Sequence, residues 1–379
     1  MEQTGVAGIL IRLERTRRGW SQDGLCRGIC AVSYLSKIEQ GKVQPDGSIL
    51  SALFQRLDKI WHDDDQTIAM GKMLTDDLYE AVFTRDFRRH EELLARLNEN
   101  WQVLSCSPFL GDVLALRAFW SNDPGIVIPE LVPLLNPRQR CLLALAAGES
   151  MDAWNFYPCA ATCYYVGAGA YNRGDYTQAL EYSQRAFDLA SREGSVFLMM
   201  FCQLIMGNCY SDLGNKPLMT EHNRIVERIA RALGDTEMLR VVHYNTMATL
   251  MEQGEYAEPY AWFSTLEDPE PMDLHKLAVC CEKLGKTEEA FSVLERAEGI
   301  STDGSDLALQ MCALVRYRLE HPDYLQLDAY GKKLMEVFER IRKERPMGYA
   351  RFHLSWVLEW LTATRQYRQA YELMRSFTK

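Results

Sequence analysis

The chain has 379 residues, 47% of them hydrophobic, and a net charge of −10. The apolar content excludes wholesale disorder, and the length exceeds what one small domain needs. So much acidity would argue against nucleic-acid contact if it were evenly spread.

The charge is uneven. Residues 1–60 hold nine Lys/Arg against six Asp/Glu, and the remainder holds 33 against 46. A basic head on an acidic body is expected when only the head meets phosphate. The eleven cysteines contain no C-x-x-C spacing; Cys26/Cys30 and Cys159/Cys163 are four apart without histidine nearby. Reduced thiols acting as small hydrophobes are therefore expected, with no metal site and no cofactor. No run approaches eighteen uncharged apolar residues, and the N-terminus lacks a signal-peptide pattern. A soluble, cytoplasmic protein without a membrane partner is expected.

In chain order, residues 6–18 predict a first helix with Ile9, Leu10 and Leu13 as its buried stripe. Residues 21–42, SQDGLCRGICAVSYLSKIEQGK, predict two short helices about a tight turn. Ser21 is placed to cap the first of them, and Leu25 and Ile29 give it an apolar stripe. Cys30 and Ala31 supply small residues for the turn. Ser33 is placed to cap the second helix, Leu35 and Ile38 to face inward, and Gly41 to stop it in the left-handed conformation. The outward residues are then Ser33, Tyr34, Ser36, Lys37 and Gln40, groups that bond base edges and phosphates. After the turn at residues 45–48, Ile49, Leu50, Leu53 and Leu57 mark a further helix.

The decapeptide SYLSKIEQGK at residues 33–42 matches the recognition-helix pattern S-Y-[IL]-S-K-I-E-x-G-K position by position. The head therefore resembles the helix-turn-helix domain of the Xre, or lambda/434 repressor, superfamily. The turn between its central helices is about one residue shorter than the commonest form, and Cys30 replaces the usual glycine. The resemblance implies major-groove binding to a double-stranded DNA operator, with Arg17, Gln22, Ser33, Tyr34, Ser36, Lys37, Gln40 and Lys42 as the contacting set.

Beyond residue 70 apolar residues recur at three and four, which predicts helices nearly throughout. Gly174, Gly214, Gly254 and Gly285 place a turn after each of four helices at spacings of 40, 40 and 31 residues. Small residues flank them at helix-crossing positions: Gly167, Ala179, Ala186, Gly207, Ala248, Ala278, Ala290 and Ala297. In the last repeat Arg365 stands in place of the glycine, with Ala370 at the packing position. Residues 77–97 and 309–340 read as degenerate repeats, residues 99–136 fit poorly, and Pro259 takes a position where alanine is usual.

This pattern is similar to the tetratricopeptide repeat. The expected fold is all-α: a lambda-repressor-like helix-turn-helix domain over residues 1–62, then a tetratricopeptide-like right-handed α-solenoid over residues 63–379 for ligand sensing and dimerisation. The repeat's groove-facing positions, carried onto this chain, give Tyr164, Tyr171, Asn172, Asn208, Ser211, Asp212, Tyr244, Met251, Glu252, His275 and Glu282 as candidates for peptide binding. Amides and phenols suit an extended peptide, and the acids suit an N-terminal ammonium or a basic side chain. No H-E-x-x-H or phosphate-loop motif is present; Gly167-Ala168-Gly169 is helix-packing sequence, and nothing suggests an enzyme.

An Xre-type head on a tetratricopeptide body resembles the RRNPP group of peptide-pheromone regulators and the arbitrium receptors. That resemblance implies a cytoplasmic homodimer that binds an operator and holds a short signalling peptide in its groove, a quorum-sensing type of regulator. The alternative is a scaffold that binds a partner protein such as a response regulator, with the head serving to localise it. Trp356, Trp360 and Tyr367 are the expected dimer contacts.

Overall fold

The computed structural model describes residues 3–300 and 306–377, and among these there is no β-strand. The head comprises α1 (Gln3–Arg17), α2 (Gln22–Cys26), α3 (Val32–Glu39) and α4 (Gly47–Arg56). Next come α5 (Asp65–Thr84), α6 (His90–Glu99), α7 (Trp101–Leu104), α8 (Leu110–Ser121), α9 (Pro137–Ala146) and α10 (Ser150–Phe156). The remainder is α11 (Ala160–Arg173), α12 (Tyr176–Glu193), α13 (Val196–Asp212), α14 (Lys216–Leu233), α15 (Thr236–Glu252), α16 (Ala257–Ser264), α17 (Pro271–Lys283), α18 (Thr287–Ile300), α19 (Leu307–Glu320), α20 (Asp328–Glu344), α21 (Met347–Ala363) and α22 (Tyr367–Ser376). The chain divides into two compact units, Met1–Gly167 with Tyr182–Cys202, and Ala168–Glu181 with Gln203–Lys379. No described helix is long and apolar enough to cross a membrane.

In the first unit α1 has two buried faces. Ala7 and Ile11 close a core with Leu25, Leu35, Ile38, Leu53, Phe54 and Leu57. Val6 and Ile9, with the half-buried Leu13, pack instead on Leu110, Leu114, Leu131 and Leu135. The stripe expected to bury within the head is thus shared with the body. Residues 99–136 break the repeat pattern for the same reason. They turn twice in short 3-10 segments, Pro124–Ile126 and Val132–Leu134, and bring apolar side chains to α1. Gly8 is required where α1 meets the end of α3, because a Cβ there would lie 2.0 Å from the Ile38 carbonyl oxygen.

Two local expectations are corrected. Ser21 does cap α2, its hydroxyl accepting from the Gly24 N–H at 3.0 Å. Ile29, however, lies beyond that helix, which stops at Cys26 before Gly28 takes φ +78°; it reaches the head core from the turn. Ser33 is not a cap. Ala31 occupies that position without a side-chain bond, and α3 begins at Val32.

The second unit is a succession of helix pairs whose turns share one device. Gly174, Gly214, Gly254 and Gly285 have φ between +71° and +83°. Each turn carries the same backbone bond to the residue five earlier: Asp175 to Ala170, Asn215 to Tyr210, Glu255 to Leu250 and Lys286 to Cys281, at 2.8–3.0 Å. Arg365 takes φ +61° in the last turn, and Gln366 makes the equivalent bond to Leu361. Ala179, Ala278, Ala290 and Ala297 are fully buried at helix crossings, and a Cβ on Gly207 would lie 2.7 Å from Asn223 Oδ1. Pro259 falls in the first turn of the short α16, where its missing N–H has no helical partner to lose. Trp356 and Trp360 are buried in this unit's core, and a Cβ on Gly331 would lie 1.9 Å from the Trp360 ring. They are core residues rather than the expected dimer contacts, whereas Tyr367 is exposed.

Candidate DNA-reading helix and ligand cleft

The outer face of α3 presents Ser33, Lys37 and Gln40 to solvent, with Lys42 just beyond Gly41, which ends the helix at φ +66°. Gln40 Nε2 donates to Ser36 Oγ at 3.1 Å, which braces both outward side chains. Tyr34 is half-buried and packs on the head core, leaving its edge for contact. Arg17 is exposed and ion-paired to Glu14 at 2.9 Å. Gln22 turns inward, donating to Glu39 at 2.8 Å. Val32, 40% exposed at the start of α3, was not anticipated. It offers an apolar surface suited to a thymine methyl; a two-residue difference in where α3 begins hid it.

In the second unit a cleft with a cavity volume of about 70 Å³ is lined from α11, α13, α15, α17 and α21. Tyr171, Asn208, Ser211, Asp212, Tyr244 and Glu252 all reach it. Helical spacing explains the central wall: Asn208, Ser211 and Asp212 share one face of α13, while Asn245, Ala248, Thr249 and Glu252 share one face of α15. Asn245 Nδ2 donates to Asn208 Oδ1 at 2.9 Å. That bond leaves an amide N–H₂ on Asn208 and a carbonyl on Asn245, and turning both amides over leaves the same pair of functions. A peptide group needs just such an acceptor and donor. Ser211 and Thr249 hydroxyls bond at 2.6 Å, and Thr249 also donates to the Asn245 carbonyl at 2.9 Å.

The electrostatics are those of charge withdrawn from water. Burial pushes the Asp212 carboxyl up to about 6, against the Tyr176 hydroxyl, which donates to it at 2.9 Å, and the Arg351 charge. Burial also raises Glu252 and lowers Lys276, and each partly restores the other's charge. Burial drives the Tyr244 phenol well above its usual range, and the neighbouring Tyr349 hydroxyl adds to the shift. Gly348 lies against Asp212, where a Cβ would stand 3.1 Å from the carboxylate. This absence of a side chain keeps that part of the cleft open.

The remaining candidates fall elsewhere. Met251 is buried in the helical core. His275 is fully buried, its ring 5.3 Å from that of His353. Glu282 is taken up by Arg318, whose Nε donates to it at 2.7 Å. Asn172 is exposed and does not line the cleft. Tyr164 belongs to the first unit, where its ring lies 4.7 Å from the Arg85 guanidinium. Lys276, Tyr349 and Phe352 line the cleft without having been anticipated. Lys276 directly follows His275 and carried a signal, being a cation in an otherwise apolar helical stretch. Tyr349 and Phe352 come from far along the chain, and no local pattern marks them.

Fold and surface together define a helix-turn-helix protein: a DNA-binding head carried on a helical-repeat body. Residues 11–59 match the family model described as Helix-turn-helix. No curated protein matches the chain. Among solved structures, the apo form of the quorum sensor NprR from B. thuringiensis is similar at 16% identity and a TM-score of 0.51. That similarity covers 82% of this chain and all of that one. Bacillus thuringiensis PlcR in complex with the peptide PapR7 and DNA is 14% identical, with 97% of this chain and 99% of that one covered; its TM-score of 0.20 lends it no weight.

Proposed function

We propose that the chain is a sequence-specific transcriptional regulator governed by a short signalling peptide. Residues 1–62 read double-stranded DNA, and residues 63–379 receive the peptide and form the homodimer. The protein is cytoplasmic and acts by binding rather than by catalysis. NprR, whose fold the chain resembles, is a quorum sensor. The observation that carries the reading is the Asn208–Asn245 pair, which offers one donor and one acceptor to a peptide backbone within an aromatic-walled cleft. DNA affinity then changes only as far as the peptide prefers one conformation of the body to another. A dimer requires half-sites about 34 Å, one helical turn, apart for both α3 helices to engage.

The test is a gel-shift titration on a duplex selected from a random pool, with and without synthetic peptides. Peptide-dependent affinity is expected. An affinity that responds to a purified partner protein and to no peptide would favour the scaffold reading instead.

A further inference from the structure

We propose that the cleft receives a carboxylate of its ligand on Lys276. This rests on the peptide reading and specifies what the peptide must present. Lys276 lies mid-way along α17, 2% exposed, and lines the cleft. Its ammonium sits over the face of Phe352, 2.8 Å from the ring centroid. Among the described residues it has neither a hydrogen-bond acceptor nor a carboxylate at ion-pair distance. Glu252, the acid that most affects it, stands farther off across the cleft.

A buried ammonium normally has a partner, because withdrawing it from water costs several kcal/mol. The other buried cation described in this unit has one: Arg318 is bound by Glu282. Lys276 instead borders open volume, and a ring face supplies only part of what a carboxylate would. Asp212 is already engaged by Tyr176, so it is not free to approach Lys276. A ligand carboxylate completes the site, whether it is the peptide's C-terminus or an acidic side chain. The acids along the groove suit an N-terminal ammonium or a basic side chain; Lys276 reverses that expectation at this wall.

The test applies three randomised pentapeptide libraries to the full-length chain and identifies retained peptides by mass spectrometry. One library has free C-termini, one is C-terminally amidated, and one is amidated and lacks Asp and Glu. Retention of free acids alone assigns the C-terminus to Lys276. Retention of amides only when they contain Asp or Glu assigns a side chain. In either case Lys276→Met is expected to weaken the retained peptide by roughly tenfold or more. Equal retention from all three libraries overturns the carboxylate site and leaves the peptide reading intact. Retention from none overturns both. The comparison among libraries uses the unaltered protein, so it decides the matter even if Lys276→Met fails to fold.

Discussion

Glu39, 3% exposed on α3, accepts from both Nε and one terminal nitrogen of Arg15 on α1, at 2.6 and 3.0 Å. The pair fixes α3 to the helix that also packs on Leu110 and Leu114. Arg15 in turn donates to the Trp20 carbonyl at 2.8 Å, and Gln22 adds a second bond to Glu39. Removing one partner leaves a buried charge unpaired, so Arg15→Ala is expected to destabilise the head by about 3–5 kcal/mol. Gln22→Ala, which removes one hydrogen bond, should cost about 1 kcal/mol. Denaturant titration followed by DNA binding checks both. A loss for Arg15→Ala no larger than that for Gln22→Ala would contradict the account.

Lys37 is exposed, and among the described residues it has no ion pair. Lys37→Ala should leave the thermal midpoint unchanged, weaken DNA binding roughly tenfold and lower the salt slope by about one. Tyr34→Phe, which keeps the ring packed on the core, separates the phenol's contact from its packing. Anisotropy titrations at several salt concentrations measure the affinity and its salt slope, and a thermal melt measures the midpoint.

Gly8→Ala places a Cβ against the Ile38 carbonyl. Backbone cannot yield there as a side chain would, so α1 and α3 must part. A destabilisation of about 2 kcal/mol or more is expected, with loss of DNA binding. Circular dichroism melts and a gel shift test it.

Asp212 titrates at about 6 in the folded chain, against an ordinary 3.8. Between those values the folded chain holds a proton that the unfolded chain has released. This group therefore lowers stability as pH rises from about 4 to about 6, and keeps it lowered above. Asp212→Asn, which still accepts from Tyr176, should raise stability by roughly 1–3 kcal/mol at pH 8, with the gain fading toward pH 4. Melting curves across that range give the answer.

His275 works in the opposite sense. Among the described residues neither of its buried ring nitrogens has a hydrogen-bond partner, and burial drives its pKa well below the usual 6.5. The unfolded chain takes up a proton below about 6.5 that the folded chain refuses, so stability falls as pH drops through that point. His275→Leu should stabilise the second unit by about 1–2 kcal/mol at pH 7, and by more at pH 5. Denaturation at the two pH values measures this.

Sequence carried the turns well because their cause is local. The left-handed φ at Gly174, Gly214, Gly254 and Gly285 belongs to residues that lack a Cβ, and repeat spacing alone marked Arg365 as their equivalent. The cleft was harder. Met251 and His275 are each one residue from cleft-lining neighbours, Glu252 and Lys276, and one residue is a 100° turn on a helix. Helical phase depends on how each pair packs, which spacing along the chain does not specify. Tyr349 and Phe352 depend on where α21 folds back, a purely tertiary fact. In the head, Ser33 looked like a cap because its side chain suits one, whereas the turn through Gly28 delivers Ala31 to that position.

Selection of duplexes from a random pool by the full-length chain at about 50 mM salt, where phosphate contacts are strong, tests the central claim most directly. The account predicts convergence on two inverted half-sites about one helical turn apart, bound much more weakly by Lys37→Ala. A pool that stays random, or a motif that Lys37→Ala binds as tightly as the unaltered chain, would contradict it.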